Sequence, residues 1–265
     1  MARLPVAFVP HGGGPWPFVN LGLPENELQG LSDYLRELRT LPRTDVRAVL
    51  VISAHWEESA PTLLSAPEPE LYYDYYGFPD ETYNLKWGAK NAPEVLQEVE
   101  SALQAAGVPV ARDPERGYDH GTFVPLMLTW PRGELPILQL SLRDDLDPEF
   151  HIKLGKALAP LRDQGIFIVG TGMTFHNMRA FRQPDGKEVA RAFHDWLAAA
   201  VRAPAEERDQ AFANWASAPG ARFSHPREEH LVPLFVIAGA AGEDLGKVDY
   251  DGTYMGWPLL GAHFG

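Results

Sequence analysis

The chain has 265 residues, of which 45% are hydrophobic and 22% charged, so it holds enough apolar material for one large α/β domain. Its formal net charge of −13, without a long run of lysine or arginine, argues against binding to nucleic acid or to an anionic membrane surface. The absence of cysteine excludes disulfides, thiolate metal sites and cysteine nucleophiles, so a bound metal would need histidine and carboxylate ligands.

The N-terminal segment and the hydropathy of the chain predict a soluble, cytoplasmic protein. Residues 1–14 lack the long apolar core and the small-residue cleavage site of a signal peptide. Apolar stretches stay shorter than the roughly 18 residues that a membrane span requires, so we expect no membrane contact.

The predicted elements alternate between buried strands and helices. Short apolar runs predict strands at 4–9, 46–53, 108–112, 135–142 and 166–172. Helical spacing and capping signals predict helices at 26–39, 92–106, 147–162, 187–202, 205–216 and 228–242. This alternation predicts an α/β fold, in which a single domain over residues 1–265 holds a mostly parallel or mixed central sheet flanked by helices. The tail, 250–264, is expected to return to the sheet edge.

Three histidines follow the ends of predicted strands: His11, His55 and His176. In an open α/β sheet, the carboxyl ends of the strands form the crevice in which ligands bind. Histidine is also the commonest protein ligand for metals. We therefore predict a metal site at this end of the sheet, and we expect the strands that precede His11 and His55 to be neighbours.

Three glycines follow His11, and their small size is expected to leave space above the strand end. A phosphate-binding loop would need the GxGxxG spacing or a Walker lysine, which this segment lacks. An esterase oxyanion hole would be accompanied by a GxSxG nucleophile elbow, and the sequence contains none.

Other histidines offer further ligands and acid–base groups. His120 lies beside Asp119 in a predicted loop, which would permit an Asp–His relay, and imidazole suits acid–base catalysis because it titrates near neutral pH. His230 opens the last predicted helix and can point to the same rim. Glu229 is its rival, because iron(II) oxygenases commonly use two histidines and one carboxylate. His225 either contacts the metal ligands from behind without binding the metal itself, or is exposed to solvent. Three further histidines are interpreted as structural: His151, His194 and His263.

Residues 67–90, the aromatic segment, are rich in aromatic and turn residues and show little periodicity. Their rings either cover an aromatic substrate or form a satellite hydrophobic cluster under a surface loop. The rings in question are Tyr72, Tyr73, Tyr75, Tyr76, Phe78, Tyr83 and Trp87.

Six motifs occur in an order typical of one family. They are HGGGP at 11–15, SAHW at 53–56, YGFP at 76–79, DHG at 119–121, TG with HN over 171–177, and HPREEH at 225–230. With these motifs the chain resembles the class III extradiol ring-cleavage dioxygenases, in the DOPA 4,5-dioxygenase-like (LigB-type) branch. The resemblance runs from residue 5 to about residue 242. Each motif alone is weak, but the ordered set is specific.

The resemblance implies a non-haem Fe(II) site that also accepts Zn(II). It implies that His11, His55 and His230 are metal ligands, whereas other branches place a glutamate such as Glu229 in the third position. His176 matches the position of the catalytic base, and in zinc-filled relatives it also approaches the metal. His120 matches a histidine that handles the substrate and oxygen. The chain departs from the usual pattern at HGGGPWPF and NLKWGAK, which are expected to border the substrate.

The resulting prediction is an Fe(II)-dependent extradiol dioxygenase that inserts O₂ into a catechol-type ring to give a ring-opened semialdehyde. Its expected partners are a small aromatic diol and O₂. A zinc-dependent hydrolase is one alternative, because three histidines and an open position activate a bound water. A non-enzymatic metal-binding scaffold of the same superfamily is the other.

Overall fold

One central sheet organises the computed structural model, which describes residues 2–20, 22, 25–182 and 185–265. The strands are β1 Val6–Pro10, β2 Ala48–Glu58, β3 Thr62–Leu64, β4 Ala111–Asp113, β5 Ile137–Arg143, β6 Ile166–Gly172, β7 Gly246–Tyr254 and β8 Trp257–Phe264. The helices are α1 Glu25–Glu37, α2 Pro93–Ala105, α3 His120–Thr129, α4 Pro148–Leu158, α5 Lys187–Arg202, α6 Ala205–Ala213, α7 Ala221–Ser224 and α8 Val232–Ala241.

The strands of the described residues form a mixed sheet of eight, in the order β4-β3-β5-β2-β6-β1-β8-β7. The central strands β5, β2, β6 and β1 are parallel, and their Val-, Ile- and Leu-rich sequences are typical of strands buried on both faces. The C-terminal tail forms a hairpin in which β8 pairs antiparallel with β1, and β7 is one of the two edge strands among the described residues. The predicted α/β class, with a mixed sheet flanked by helices, is confirmed.

Helices cover both faces of this sheet. Alternate residues of β1 belong to different cores: Val6 and Phe8 pack on the face covered by α2, α4, α5 and α8, whereas Ala7 and Val9 pack on the face covered by α1 and α3. The most apolar helix, α8, has ten residues, all of them buried. Among the described residues, no helix combines the length and the apolar character needed to cross a bilayer.

Strand β6 lies between β1 and β2, which corrects the expectation that the strands before His11 and His55 are neighbours. Val6 of β1 pairs with Ile168 of β6, and Ala48 of β2 pairs with Ile166. The crossover through α1 therefore skips one position in the sheet, which β6 later fills. As a result, the carboxyl ends of three adjacent strands lead to His11, His55 and the segment before His176.

Strand β2 extends further than its apolar run predicts, and His55 lies inside it. Pairing with β6 ends at Ser53, and the register with β5 shifts between Ile52 and Glu57. This irregularity frees the backbone around His55 from regular pairing. The prediction ended this strand at Ser53, but Glu57 and Glu58 still pair with β5.

Helix α3 begins at His120, which was predicted to lie in a loop. Its residues are apolar on nearly all sides, and Pro125 lies within it, so neither a helical stripe nor an uninterrupted helical sequence marks it. Asp119 caps its start by accepting a hydrogen bond from the backbone N–H of Thr122. His120 is consequently the first residue of a buried helix.

Candidate metal centre

Three imidazole nitrogens converge at the carboxyl end of the central strands. The Nε2 atom of His55 lies 3.2 Å from Nε2 of His11 and 3.2 Å from Nε2 of His230. Metal–nitrogen bonds of about 2.0–2.1 Å hold two nitrogen ligands of one ion roughly 3.0–3.4 Å apart. The spacing of these nitrogens therefore fits a single metal ion.

The other ring nitrogen of each imidazole faces an oxygen. Nδ1 of His11 donates to the carbonyl oxygen of the next residue at 2.6 Å, and Nδ1 of His230 contacts Oε1 of Glu229 at 2.8 Å. Nδ1 of His55 lies 3.4 Å from Oδ2 of Asp74. These oxygens favour the proton on Nδ1 and leave the Nε2 lone pairs free, which is the tautomer that binds metal through Nε2.

Burial keeps these three rings neutral. Desolvation lowers the pKa of His11, His55 and His230 well below the ordinary value, and the neighbouring imidazoles lower each pKa further. A histidine must be unprotonated to bind a metal ion. The unprotonated ring nitrogens of the cluster are therefore available to bind a cation near neutral pH.

The backbones of His11 and His230 are fixed at the ends of β1 and β6. The N–H of His11 donates to the carbonyl of Gly172 at 3.1 Å, and the N–H of Met173 donates to the carbonyl of His230 at 3.0 Å. A Cβ atom on Gly172 would overlap this His230 carbonyl oxygen. The indole N–H of Trp16 donates to the His11 carbonyl at 2.6 Å. The backbones that carry two of the converging rings are thus hydrogen-bonded to the end of β6 or to the residue that follows it.

The glycine loop after His11 is packed under aromatic rings. A Cβ on the first glycine would overlap the indole of Trp16, one on the second would lie 2.9 Å from the hydroxyl of Tyr254, and one on the third would lie 2.7 Å from the ring of Phe78. The first and third glycines also have φ values of +74° and +54°. The expectation of open space at this loop was wrong, because rings from three parts of the chain fill it.

His120 lies against His55, with the ring centroids 3.9 Å apart. Its backbone N–H and its Nδ1 both contact Oδ1 of Asp74, at 3.0 and 2.7 Å. Burial alone would raise the pKa of Asp74, but the hydrogen bond from His120 holds this pKa below its ordinary value. The carboxylate partner of His120 is therefore Asp74, and the Asp–His relay that the adjacent Asp119 would permit does not form.

Asp119 instead ties α3 to the sheet. Its fully buried carboxylate accepts hydrogen bonds from the hydroxyl of Ser53 at 2.6 Å and from the side-chain amide of Gln139. Burial raises the pKa of Asp119 above its ordinary value. Because Ser53 belongs to β2 and Gln139 to β5, this network holds the start of α3, and with it His120, beside His55.

Glu229 joins His176 to His230. Its Oε1 lies 3.1 Å from Nδ1 of His176 and 2.8 Å from Nδ1 of His230, and the two rings stack with centroids 3.4 Å apart. Burial acts to raise the pKa of Glu229, but the hydrogen bond from His176 brings it below the ordinary value. An ionised carboxylate at this position accepts hydrogen bonds from both rings.

The candidate ligands form two neighbouring groups, and within each group the ligand atoms lie within 4.8 Å of one another. One group is His11, His55 and His120, and the other is His176, Glu229 and His230. The 3.2 Å contact between His55 and His230 joins the two groups. The structure thus brings together every candidate ligand and acid–base residue that the sequence indicated.

The remaining histidines have separate partners. His225 is fully buried, which excludes the alternative that it is exposed, and its Nε2 contacts the carbonyl of Thr174 at 3.1 Å. His151 accepts a hydrogen bond at Nε2 from the backbone N–H of Arg143. His194 and His263 contact carboxylates of the β7–β8 hairpin, Asp251 and Asp249.

The aromatic segment packs onto the histidine cluster. The Tyr75 ring is buried, with its centroid 6.0 Å from that of His120, and it also packs against Phe78 and Tyr83. Asp74, in the middle of this segment, is the functional candidate that the sequence analysis missed. A single acid flanked by two tyrosines on each side was the available signal.

Comparisons with known proteins identify the family of the chain. A family model described as the catalytic LigB subunit of aromatic ring-opening dioxygenase matches residues 6–263. The chain is 37% identical over 280 residues to "Dioxygenase tasH" of Hapsidospora irregularis, which covers 100% of this chain and 86% of that protein. It is 39% identical over 202 residues to a "4,5-DOPA dioxygenase extradiol" of Beta vulgaris, with 75% and 74% covered. A solved structure, that of the uncharacterized protein JW3007 from Escherichia coli K12, is similar with a TM-score of 0.79 and 27% identity, and it covers 99% of this chain and 100% of that one.

Proposed function

The chain belongs to the LigB family of aromatic ring-opening dioxygenases, and we propose that it is an Fe(II)-dependent extradiol dioxygenase that cleaves a catechol beside its diol. The observation that carries this proposal is the convergence of three neutral imidazoles. The Nε2 atom of His55 lies 3.2 Å from Nε2 of His11 and 3.2 Å from Nε2 of His230. The family description and the dioxygenase names of the relatives support the same reaction class.

We assign the metal to His11, His55 and His230. The Nε2 contacts favour His230 over His120 as the third ligand, because they link His230 directly to His55. Glu229, the rival ligand, has one oxygen engaged by the Nδ1 atoms of two imidazoles, so we assign it to orienting those rings. Bound Fe(II) would hold the two diol oxygens and let electrons pass from the aromatic ring to O₂.

His176 is the proposed base. Glu229 accepts a hydrogen bond from its Nδ1, so Nε2 is the atom free to take the proton from a catechol hydroxyl. The imidazolium that results would be stabilised by the same carboxylate. Its stacked position against His230 places it beside the proposed metal ligands.

His120 is the second proposed catalytic residue. Asp74 engages its Nδ1, so Nε2 is free to hydrogen-bond the substrate. The rings of Tyr75 and Phe78, which lie around this part of the cluster, supply apolar surface for an aromatic ring and exclude water. Both atoms of O₂ enter the ring-opened semialdehyde, so the reaction needs no external reductant.

The test is to load the protein anaerobically with Fe(II), add O₂ and follow a panel of catechols by absorbance and oxygen consumption. We expect a coloured ring-opened product, with one O₂ consumed per catechol. A His11→Ala variant should bind less iron and form no product. If no catechol in the panel yields a ring-opened product, the proposal is wrong.

The same preparation separates the alternatives. A zinc hydrolase would turn over esters or amides without O₂ when loaded with Zn(II). A non-enzymatic scaffold would bind metal but turn over neither substrate class. Strict dependence of product formation on O₂ would exclude both.

A further inference from the structure

Asp74 contacts two histidines of the cluster with different oxygens. Its Oδ1 faces the backbone N–H and Nδ1 of His120, at 3.0 and 2.7 Å, whereas its Oδ2 lies 3.4 Å from Nδ1 of His55. Oδ2 is buried and has no hydrogen-bond partner among the described residues. One carboxylate therefore spans a proposed metal ligand and a proposed catalytic residue.

The backbone around Asp74 is itself anchored. The N–H of Asp74 donates to the carbonyl of Tyr72 at 3.0 Å, and the N–H of Tyr72 donates to the carbonyl of Tyr118 at 2.7 Å. Tyr118 lies two residues before His120. The carboxylate and the helix start that it contacts are thus fixed to the same piece of backbone, and this limits how far they can move apart.

The side chain that follows Asp74 adds a second restraint. The hydroxyl of Tyr75 donates to the carbonyl of Thr82 at 2.7 Å, and its ring packs edge-on against His120. The aromatic segment therefore holds Asp74 from both sides. The hydrogen bond to Oδ1 fixes the rotation and the tautomer of His120, because a carboxylate oxygen accepts only from a protonated Nδ1. The other oxygen, 3.4 Å from Nδ1 of His55, favours a proton on that nitrogen by charge attraction, without a hydrogen bond.

We infer that Asp74 is a positioning residue that orients His55 for the metal and His120 for the substrate at the same time. This inference rests on the proposed function. The pairing parallels that of Glu229, whose carboxylate spans His230 and His176. The aromatic segment therefore contributes the Asp74 carboxylate to the site, in addition to a hydrophobic cover.

The test compares Asp74→Asn with Asp80→Asn. Both remove one acid from the aromatic segment, but Asp80 is exposed and lies outside the cluster. Metal affinity is measured by Fe(II) titration, and ligand geometry by the visible absorption of the Co(II)-loaded protein. We expect Asp74→Asn to lose about tenfold to a hundredfold in metal affinity or in kcat, with KM for the catechol little changed and a shifted Co(II) spectrum. Asp80→Asn should match the parent protein.

An Asp74→Glu variant guards against a folding failure of the amide variant. It keeps the charge but displaces it by one methylene, so we expect metal affinity and kcat between those of the parent protein and Asp74→Asn. Folded Asp74 variants with the metal affinity, kcat and Co(II) spectrum of Asp80→Asn would overturn the inference. If the parent protein cleaves no catechol, the Co(II) spectrum and the metal affinity still decide the role of Asp74, so the two proposals fail separately.

Discussion

Gly172, the last residue of β6, lies against the carbonyl oxygen of His230 so closely that a Cβ atom at residue 172 would overlap it. The next backbone N–H, that of Met173, donates to this same oxygen at 3.0 Å. The end of a central strand therefore holds the backbone of a proposed metal ligand, His230, which lies 58 residues further along the chain.

A Gly172→Ala substitution should therefore impair the metal site. The added methyl group must push the His230 backbone away, and we expect a loss of about 1–3 kcal/mol of folding stability from overpacking. Metal affinity should fall at least about tenfold, because an imidazole displaced by a fraction of an ångström no longer meets the other two. Denaturant unfolding and Fe(II) titration measure the two effects.

The matched control is Gly30→Ala on α1. A Cβ there would meet no atom closer than 4.0 Å, and alanine favours a helix by up to about 1 kcal/mol over glycine. This variant should be as stable as the parent protein or more stable, with unchanged metal affinity. Equal metal affinity in both variants would show that the close contact between Gly172 and the His230 backbone does not position His230.

The third metal ligand can be identified by comparing His230→Ala with Glu229→Gln. If His230 is the ligand, its removal should abolish tight metal binding and the rise in Tm on adding metal, which corresponds to about 2.7 kcal/mol at a hundredfold excess over Kd. Glu229→Gln should still bind one metal per chain, with weaker affinity and a kcat lowered about tenfold or more. The reverse pattern, with metal lost only in Glu229→Gln, would assign the carboxylate as ligand.

His176→Ala should separate proton transfer from metal binding. If His176 is the base, kcat should fall by roughly 10²–10⁴ while the iron content per chain stays unchanged. His263→Asn is the control, because His263 contacts Asp249 on the β7–β8 hairpin and has no proposed role in the reaction. A loss of iron that parallels the loss of activity would identify His176 as a ligand instead.

We expect the metal-free protein to lose folding stability in mild acid, because His151 is buried. Burial lowers the pKa of His151 to about 4 in the folded protein, whereas an unfolded histidine titrates near 6.5. Because the unfolded state binds this proton more tightly, the stability that the neutral ring provides is complete above pH 6.5 and is lost progressively as the pH falls to about 4. The loss amounts to about 3 kcal/mol.

His151→Gln tests this expectation. The variant carries no titrating group at this position, so its unfolding free energy should change less between pH 7 and pH 4.5 than that of the parent protein. Denaturant unfolding of both metal-free proteins at several pH values gives the comparison. Parallel pH dependences would mean that His151 does not account for the acid sensitivity.

Local signals predicted many elements well. Strand β6 was predicted at its observed bounds because the apolar run 166–169 follows Gly165 and leads into the Gly-Thr-Gly of 170–172. Helix α5 was predicted because polar and apolar positions alternate with helical spacing. Helix α3 was missed, because a helix that is buried on nearly all sides has no polar face and Pro125 interrupts its sequence. His120 is the first residue of this helix, although its sequence context predicted a loop.

The fold class, the family resemblance and the set of histidines at the crevice follow from the amino-acid sequence alone, because apolar periodicity and motif order are local properties of the chain. The tertiary structure sets which of these groups meet. It placed β6 between β1 and β2, and it paired His120 with Asp74, 46 positions away, instead of with the adjacent Asp119. The reason is physical: a helix start directs consecutive side chains to different sides, so Asp119 turns to the sheet while the carboxylate that reaches His120 comes from a distant segment packed against it.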